Sequence, residues 1–166
     1  CALAVGKGIN YVQIETHNQY TGKLISVILA ENRVAAYFKE ENKVHEFSGD
    51  NNAEWKLLSS FKGKELAGYE YEQLLPYQQP ETGDAFKVII GDFVSTEDGT
   101  GIVHIAPSFG ADDFRVAKQN NIGTLTLVDK QGKFIDGVGP YSGKYVKNYT
   151  DDPNWENPDV LIAIQL

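Results

Sequence analysis

The spacing of apolar and polar residues predicts a chain built mainly from short β-strands. Residues 11–17 alternate between the two kinds, as expected when successive side chains face opposite sides of a sheet. Segments 23–28 and 85–94 are rich in β-branched residues and also favour strands. Further strands are predicted over 55–63 and over 100–106, where a following proline ends the strand because it cannot donate a ladder hydrogen bond.

Helical spacing is present in two segments. In 29–39 several apolar residues and an arginine fall on one side at helical intervals, which predicts a helix. Residues 111–121 predict a second helix, with acidic residues in its first turn, where the helix dipole favours them, and Gly123 near its end. We interpret 40–54 as a surface loop and 124–135 as a hairpin. This pattern indicates an α+β fold, and we expect a closed or nearly closed, β-barrel-like sheet with short peripheral helices.

Length and charge limit the functions that the chain can have. Its 166 residues suit a single domain over 1–166, and no apolar run is long enough to cross a membrane. The formal net charge of −8 argues against a broad surface that binds nucleic-acid phosphates, although it leaves room for contact with a few nucleotides. The single cysteine and the lack of a signal-like N-terminus favour a cytoplasmic location. The lack of methionine and the apolar runs at both ends indicate a fragment of a longer polypeptide.

Three common kinds of site are disfavoured by residue spacing. His17, His45 and His104 are far apart, and with one terminal cysteine they form no spacing typical of a metal site. Residues 6–8 contain two glycines, but the third glycine and the following helix of a phosphate-binding loop are absent. A Gly-x-Ser-x-Gly nucleophile motif is also absent. We therefore expect neither a metal ion nor a cofactor in this chain.

The segment 99–114, GTGIVHIAPSFGADDF, carries the candidate chemistry. On the predicted strand, His104 shares one face with Ile102 and Ala106. The two glycines that open the segment permit a close approach of the backbone before this strand. An ordinary half-buried structural histidine is the alternative interpretation of His104.

A sharp turn follows the strand and could bring a carboxylate towards the histidine. Pro107 and Gly110 break the backbone, and Asp112 and Asp113 then open the predicted helix. Asp113 and His104 could converge on one pocket, where a fixed carboxylate is suited to binding an amine such as an amino acid's α-ammonium. The alternative is that both aspartates only stabilise the start of the helix.

This segment resembles the editing domain, also called connective polypeptide 1, of isoleucyl-tRNA synthetases, which are class I aminoacyl-tRNA synthetases. The stretches KGKELAGYEYEQLLPY at 62–77 and CALAVG at 1–6 share the resemblance, so that it covers nearly the whole chain. The reaction that it implies is hydrolysis of misacylated valyl-tRNA(Ile), a second sieve against an amino acid that is smaller by one methylene. It also implies that the misacylated 3′ end of tRNA(Ile) and the rest of the synthetase chain are partners, that no membrane is involved, and that ATP is used elsewhere in the parent protein.

The resemblance implies a role for each residue that matches the motif. Asp113 corresponds to the aspartate that binds the substrate's α-ammonium, and His104 to the histidine that lines the pocket and excludes the cognate side chain. The remaining pocket positions are Gly99, Thr100, Gly101, Ala106, Pro107, Phe109 and Gly110.

A threonine-rich segment that contacts the substrate and the attacking water in the family lies just before the position of Cys1. This chain begins after it, so we expect the isolated fragment to hydrolyse its substrate weakly or not at all. The alternative function is a non-catalytic module of the same fold that binds the tRNA 3′ end or an aminoacyl group.

Overall fold

The computed structural model describes residues 1–49 and 51–166. Only residue 50 of the predicted loop 40–54 lies outside the described residues. The described residues form two compact units. We call them the sheet unit, which is Ala2–Glu70 with Lys87–Ile105, and the helix–loop unit, which is Cys1, Tyr71–Phe86 and Ala106–Leu166. No helix in the described part of the chain is long and apolar enough to span a membrane.

The sheet unit contains six strands and several short helices. Its strands are β1 (Ala2–Val5), β2 (Asn10–His17), β3 (Leu24–Ala30), β4 (Trp55–Lys62), β5 (Lys87–Ile90) and β6 (Ile102–Ile105). Its short helices are α1 (Val34–Tyr37), α2 (Gly63–Leu66) and the 3₁₀ turns Glu31–Arg33 and Glu40–Asn42.

These strands form two three-stranded sheets. In the first, β1 is central and pairs in parallel with β5 and antiparallel with β6. In the second, β2 is central and antiparallel to both β3 and β4. The α+β class is thus confirmed, but the expected barrel-like closure is not. Within the described residues neither sheet closes on itself, because closure needs hydrogen-bonded neighbours on both sides of every strand.

The core of the sheet unit uses both faces of β2. One cluster of buried residues consists of Val12, Ile14, Leu29 and Trp55. The other consists of Val5, Tyr11, Ala30 and Leu66. Neighbouring residues of β2 enter different clusters because successive side chains of a strand point to opposite faces.

The helix–loop unit holds α3 (Ala111–Gln119), a 3₁₀ turn at Gly139–Tyr141 and α4 (Pro158–Gln165). The predicted hairpin over 124–135 is present as an isolated bridge between Val128 and Phe134. The sequence interpretation missed α4. Its start has recognisable signals, because the Asn157 side chain accepts a hydrogen bond from the Asp159 N–H and a proline occupies the first helical position.

The predicted helix over 29–39 is wrong at both ends, and helical backbone is confined to the 3₁₀ turn Glu31–Arg33 and α1. Leu29 and Ala30 end β3 and are buried, and the Ala30 N–H donates to the carbonyl of Thr100 at 2.8 Å. Helical backbone begins only afterwards, and it stops at Phe38, whose φ of −127° and ψ of 120° are extended. A contact with a residue 70 positions later therefore overrides the local helical spacing.

Two predicted boundaries also shift. The strand expected over 85–94 is reduced to Lys87–Ile90. It cannot begin before Lys87, because Phe86 adopts a φ of 55°, which a strand residue does not have. Gly123 does not provide the left-handed residue that ends α3. Asn121 does so with a φ of 54°, as asparagine tolerates this conformation better than most residues.

Candidate functional site

The segment 99–114 is divided between the two units. Residues 99–105 belong to the sheet unit, where a tight loop leads into β6. Residues 106–114 belong to the helix–loop unit, where a corner leads into α3. The predicted order of strand, turn and helix is therefore confirmed, with β6 ending at Ile105 and α3 beginning at Ala111.

The loop formed by residues 99–101 is fixed through its backbone carbonyls. Three consecutive carbonyls each accept a hydrogen bond from a different part of the sheet unit. The pairs are Arg33 Nε to Gly99 at 2.8 Å, the Ala30 N–H to Thr100 at 2.8 Å, and Tyr11 Oη to Gly101 at 2.6 Å. Because a carbonyl lies in the plane of its peptide, these contacts fix the orientation of successive peptide planes.

Both glycines of this loop have a left-handed backbone. The φ angles are +57° at Gly99 and +74° at Gly101, and side chains disfavour both values. At Gly101 space is also limiting, since a Cβ there would lie 2.5 Å from the Cβ of Ala30. The second glycine is therefore required by close packing as well as by its φ.

Tyr11 is the most buried polar contact of the loop. Its side chain is 0% exposed, and its hydroxyl also accepts a hydrogen bond from the N–H of Gly6 at 3.0 Å. Burial raises the pKa of the Tyr11 hydroxyl, although the hydrogen bond from Gly6 opposes the shift. The hydroxyl thus stays protonated and can donate to Gly101 throughout the neutral pH range.

His104 lies on β6, opposite Leu3 of β1, and it is exposed. Its neighbour Ile105 is completely buried, as the alternation of a strand requires. The half-buried structural histidine of the alternative interpretation is therefore not observed. His104 and Ile102 were predicted to share one face of the strand, but their surroundings differ, because Ile102 packs against the core cluster of Tyr11.

The corner between Ala106 and Gly110 is held by local hydrogen bonds of the helix–loop unit. The N–H of Phe109 donates to the carbonyl of Ala106 at 3.0 Å, and Ser108 Oγ donates to the carbonyl of Leu125 at 3.0 Å. Pro107 is buried, whereas the Phe109 side chain is 71% exposed. The corner is therefore a fixed turn that presents an aromatic side chain to solvent.

The two adjacent aspartates have different surroundings. Asp113 is half-buried, and its Oδ2 accepts a hydrogen bond from the N–H of Ala106 at 2.9 Å. The side chain of Asp112 is 91% exposed and, among the described residues, pairs only with Arg115 on the next helical turn, at 3.0 Å. The two carboxylates face different surroundings because neighbouring helical residues point about 100° apart.

The predicted site residues fall into two sets. Gly99, Thr100 and Gly101 lead directly into the strand of His104 in the sheet unit. Ala106, Pro107, Phe109, Gly110 and Asp113 form one corner in the helix–loop unit. Convergence of His104 and Asp113 on one pocket stays a prediction. Among the described residues no cluster of three or more histidine, cysteine or carboxylate side chains could hold a metal ion.

The sheet unit also contains a cavity of about 680 Å³ at the far end of β2, and none of the predicted site residues lines it. His17, Tyr37 and Phe38 are among its lining residues. The sequence interpretation also missed Tyr11 and Arg33, which hold the loop before β6. No local signal marks them, because their partners lie 90 and 66 positions away along the chain.

The chain is similar to isoleucine–tRNA ligases, although no family model matches it. The isoleucine–tRNA ligase of Cytophaga hutchinsonii is 52% identical over 160 residues, which cover 88% of this chain and 14% of that protein. That of Bacteroides fragilis is 40% identical over 195 aligned positions, which cover 99% of this chain and 17% of that protein. That of Clostridium tetani is 40% identical over 146 residues, which cover 88% and 12% respectively.

The similarity extends over most of this chain but over a small part of each relative. The chain spans between 12% and 17% of the length of these three ligases. It therefore belongs to the isoleucine–tRNA ligase family and corresponds to one segment of the much longer members of that family.

Proposed function

We propose that this chain is the editing domain of an isoleucine–tRNA ligase, and that within the full-length ligase it hydrolyses misacylated valyl-tRNA(Ile). The observation that carries the proposal is the half-buried carboxylate of Asp113, which a backbone N–H holds in place in the first turn of α3. The similarity to isoleucine–tRNA ligases supports the same function. The proposed location is the cytoplasm, and the proposed partner is the 3′ end of tRNA(Ile).

Asp113 is proposed to bind the α-ammonium of the misattached amino acid. Its Oδ2 is held by Ala106, so the carboxylate has a defined orientation, and we assign the ammonium contact to Oδ1. A hydrogen bond between charged groups contributes about 1.5–3 kcal/mol. Because the ammonium and the ester carbonyl are attached to the same α-carbon, holding the first also orients the second for attack.

The proposed reaction is the hydrolysis of an ester. Water attacks the carbonyl carbon, the bond between this carbon and the ribose oxygen breaks, and the water proton that is released ends on that oxygen. The products are free valine and tRNA with its terminal hydroxyl restored. An aminoacyl ester is already activated, so a positioned water suffices without a protein base. ATP is proposed to be used by the rest of the ligase and not in this step.

His104 is proposed to be a steric wall that excludes the larger cognate side chain. One methylene changes binding in an apolar pocket by only about 1–3 kcal/mol, a limit for which isoleucyl-tRNA synthetases are themselves the usual worked example. A second pocket that admits valine and excludes isoleucine therefore multiplies the selectivity of synthesis. The exposed position of His104 on β6 leaves its ring accessible to a substrate.

The first test separates the proposed ammonium contact from the structural role of Asp113. Asp113→Asn keeps an oxygen that can accept the Ala106 N–H but removes the negative charge. In the full-length ligase we expect kcat/KM for valyl-tRNA(Ile) deacylation to fall by about 10- to 150-fold, from about 1.5–3 kcal/mol at 1.36 kcal/mol per tenfold. The melting temperature should stay close to that of the wild type.

Asp112→Asn is the matched control, because this neighbouring carboxylate is exposed and should change the rate by less than about twofold. Equal losses for Asp112→Asn and Asp113→Asn would mean that the carboxylates act only on the helix. A wild-type ligase that binds valyl-tRNA(Ile) but does not hydrolyse it would support the non-catalytic module instead.

The second test concerns the wall. We expect His104→Ala to gain hydrolysis of isoleucyl-tRNA(Ile) by about 10- to 200-fold, within the limit set by one methylene. Loss of valyl-tRNA(Ile) hydrolysis with unchanged rejection of isoleucyl-tRNA(Ile) would instead identify His104 as a general base.

A further inference from the structure

The loop that precedes β6 is held by residues that are distant from it in the sequence. Besides its contact with Gly99, Arg33 donates from Nη1 to the carbonyl of Glu97 at 3.1 Å. Asn32 Nδ2 donates to Thr96 Oγ1 at 2.7 Å, one residue earlier in the loop. The segment that ends β3 and enters its 3₁₀ turn thus contacts the loop at several successive positions.

These contacts select one conformation of a connection that would otherwise be mobile. Eleven residues separate the end of β5 at Ile90 from the start of β6 at Ile102. A free loop of this length has many conformations, and fixing each residue costs about 1–2 kcal/mol of conformational entropy. A guanidinium that bridges two carbonyls suits this role, because its donors form a rigid planar fork.

We propose that Tyr11 and Arg33 are positioning residues of the editing site, which fix the loop 99–101 and through it the placement of Thr100 and His104. We call Tyr11, Arg33 and the backbone N–H of Ala30 the loop clamp. This inference rests on the editing function proposed above. It adds two residues that act on the site from outside it.

The loop clamp acts by geometry and not by charge transfer or acid–base chemistry. The carbonyls of residues 99–101 are held by the clamp, and Thr100 itself is exposed. His104 follows Gly101 by three residues on a strand, so a shift of the loop moves the start of that strand. Displacing a positioned group by 1 Å can reduce a rate by about 10²-fold, so a flexible clamp should lower kcat more than it alters binding.

The experiment replaces Arg33 in the full-length ligase, because this partly exposed side chain can be changed at little cost to folding. We expect Arg33→Met to lower kcat for valyl-tRNA(Ile) deacylation by about tenfold with KM unchanged. Arg33→Lys keeps one donor but cannot bridge both carbonyls, so it should give an intermediate kcat. Lys62→Met is the matched control, since Lys62 Nζ donates to the carbonyl of Gly8 at 3.2 Å in a different loop, and its kcat should stay within about twofold.

Tyr11→Phe provides a second variant, with Tyr71→Phe as its control. Tyr71 is another partly buried tyrosine, but its hydroxyl makes no hydrogen bond within the described residues. Amide hydrogen exchange at Ala30 reports the clamp directly, because this N–H donates to Thr100. Exchange there should become faster in Arg33→Met and Tyr11→Phe and stay unchanged in both controls.

The outcomes separate this inference from the proposed function. If the wild-type ligase does not deacylate valyl-tRNA(Ile), or if Asp113→Asn has no effect on that rate, the editing function itself fails. If Asp113→Asn is impaired while Arg33→Met and Tyr11→Phe keep the wild-type kcat, the loop clamp has no part in editing. A change confined to KM, or faster exchange at Ala30 with an unchanged kcat, also overturns the inference.

Discussion

Replacing Tyr11 by phenylalanine should destabilise the chain more than the loss of one oxygen atom suggests. The hydroxyl is completely buried and joins the N–H of Gly6 to the carbonyl of Gly101. Both partners are themselves buried, so each loses its hydrogen bond without gaining water. An unsatisfied buried polar group costs about 1–3 kcal/mol, so the two together should cost about 2–4 kcal/mol after partial relaxation.

Thermal unfolding of this chain measures the effect. For a protein of this size, 1 kcal/mol corresponds to about 2–4 °C, so the melting temperature of Tyr11→Phe should fall by about 4–16 °C. Tyr71→Phe removes a hydroxyl that has no such partners and should shift the melting temperature by no more than about 2 °C. A Tyr11→Phe variant that melts with the wild type would refute the reasoning, and so would equal losses in the two variants.

The pH dependence provides an independent check of the same hydroxyl. Burial raises the pKa of Tyr11 above its ordinary value of 10.0 because the fold favours the neutral phenol. Its contribution to stability is therefore complete below pH 10.0 and is lost as the pH rises through the raised pKa. Tyr11→Phe lacks this titration, so its stability should fall less steeply than that of the wild type between pH 9 and 11, about one unit either side of the ordinary pKa.

Other positions give further expectations. Gly101→Ala should lower the free energy of unfolding in urea by about 2–5 kcal/mol, because alanine is strained at a left-handed φ and its Cβ would clash with Ala30. Gly99→Ala meets only the backbone strain, because the space at its Cβ is open, and should cost about 1–2 kcal/mol. Hydrogen bonds from the side chain and N–H of Ser48 lower the pKa of the Glu54 carboxyl. The ionised carboxylate therefore stabilises the fold above the ordinary pKa of 4.5, and this stabilisation is lost as the pH falls through the lowered pKa. Ser48→Ala should therefore be less stable than the wild type at pH 7, and circular dichroism should show that this difference shrinks as the pH falls below 4.5.

Local patterns were sufficient for elements whose stability is local. The alternation over 11–17 predicted β2, since the two-residue period of a strand is a property of neighbouring residues. The acidic first turn predicted α3 for a similar reason. The apolar end of the chain was not recognised as α4, because a segment of eight mostly apolar residues has no clear polar face.

Elements that depend on distant partners could not be predicted. Leu29 and Ala30 were expected in a helix, but burial in β3 and a hydrogen bond to Thr100 hold them extended. The division into two open sheets depends on which strands pair, and spacing along the sequence contains no information on that. Propensity is a weak guide wherever such tertiary contacts compete with it.

The candidate site shows the same division. The hydrogen bond between Asp113 and Ala106 spans seven residues, and the turn that it stabilises was predicted from proline, glycine and aspartate alone. The contacts of Tyr11 and Arg33 with the loop span 90 and 66 residues, and nothing near either residue announces them. Sequence patterns therefore predicted the proposed substrate-contacting residues but not Tyr11 and Arg33, which hold the loop before β6.

The acidic composition is consistent with a site of this kind. With 23 acidic and 15 basic residues, the chain has little surface that could neutralise the phosphates of a tRNA. Selectivity for one methylene, in contrast, depends on fixed polar and apolar groups in the pocket and not on the net charge of the chain. The contacts observed here are of that type, because a backbone N–H orients Asp113 and three backbone carbonyls fix the loop before His104. Under the proposed function, most of the affinity for tRNA would come from the remaining length of the ligase, and this segment would determine which aminoacyl ester is hydrolysed.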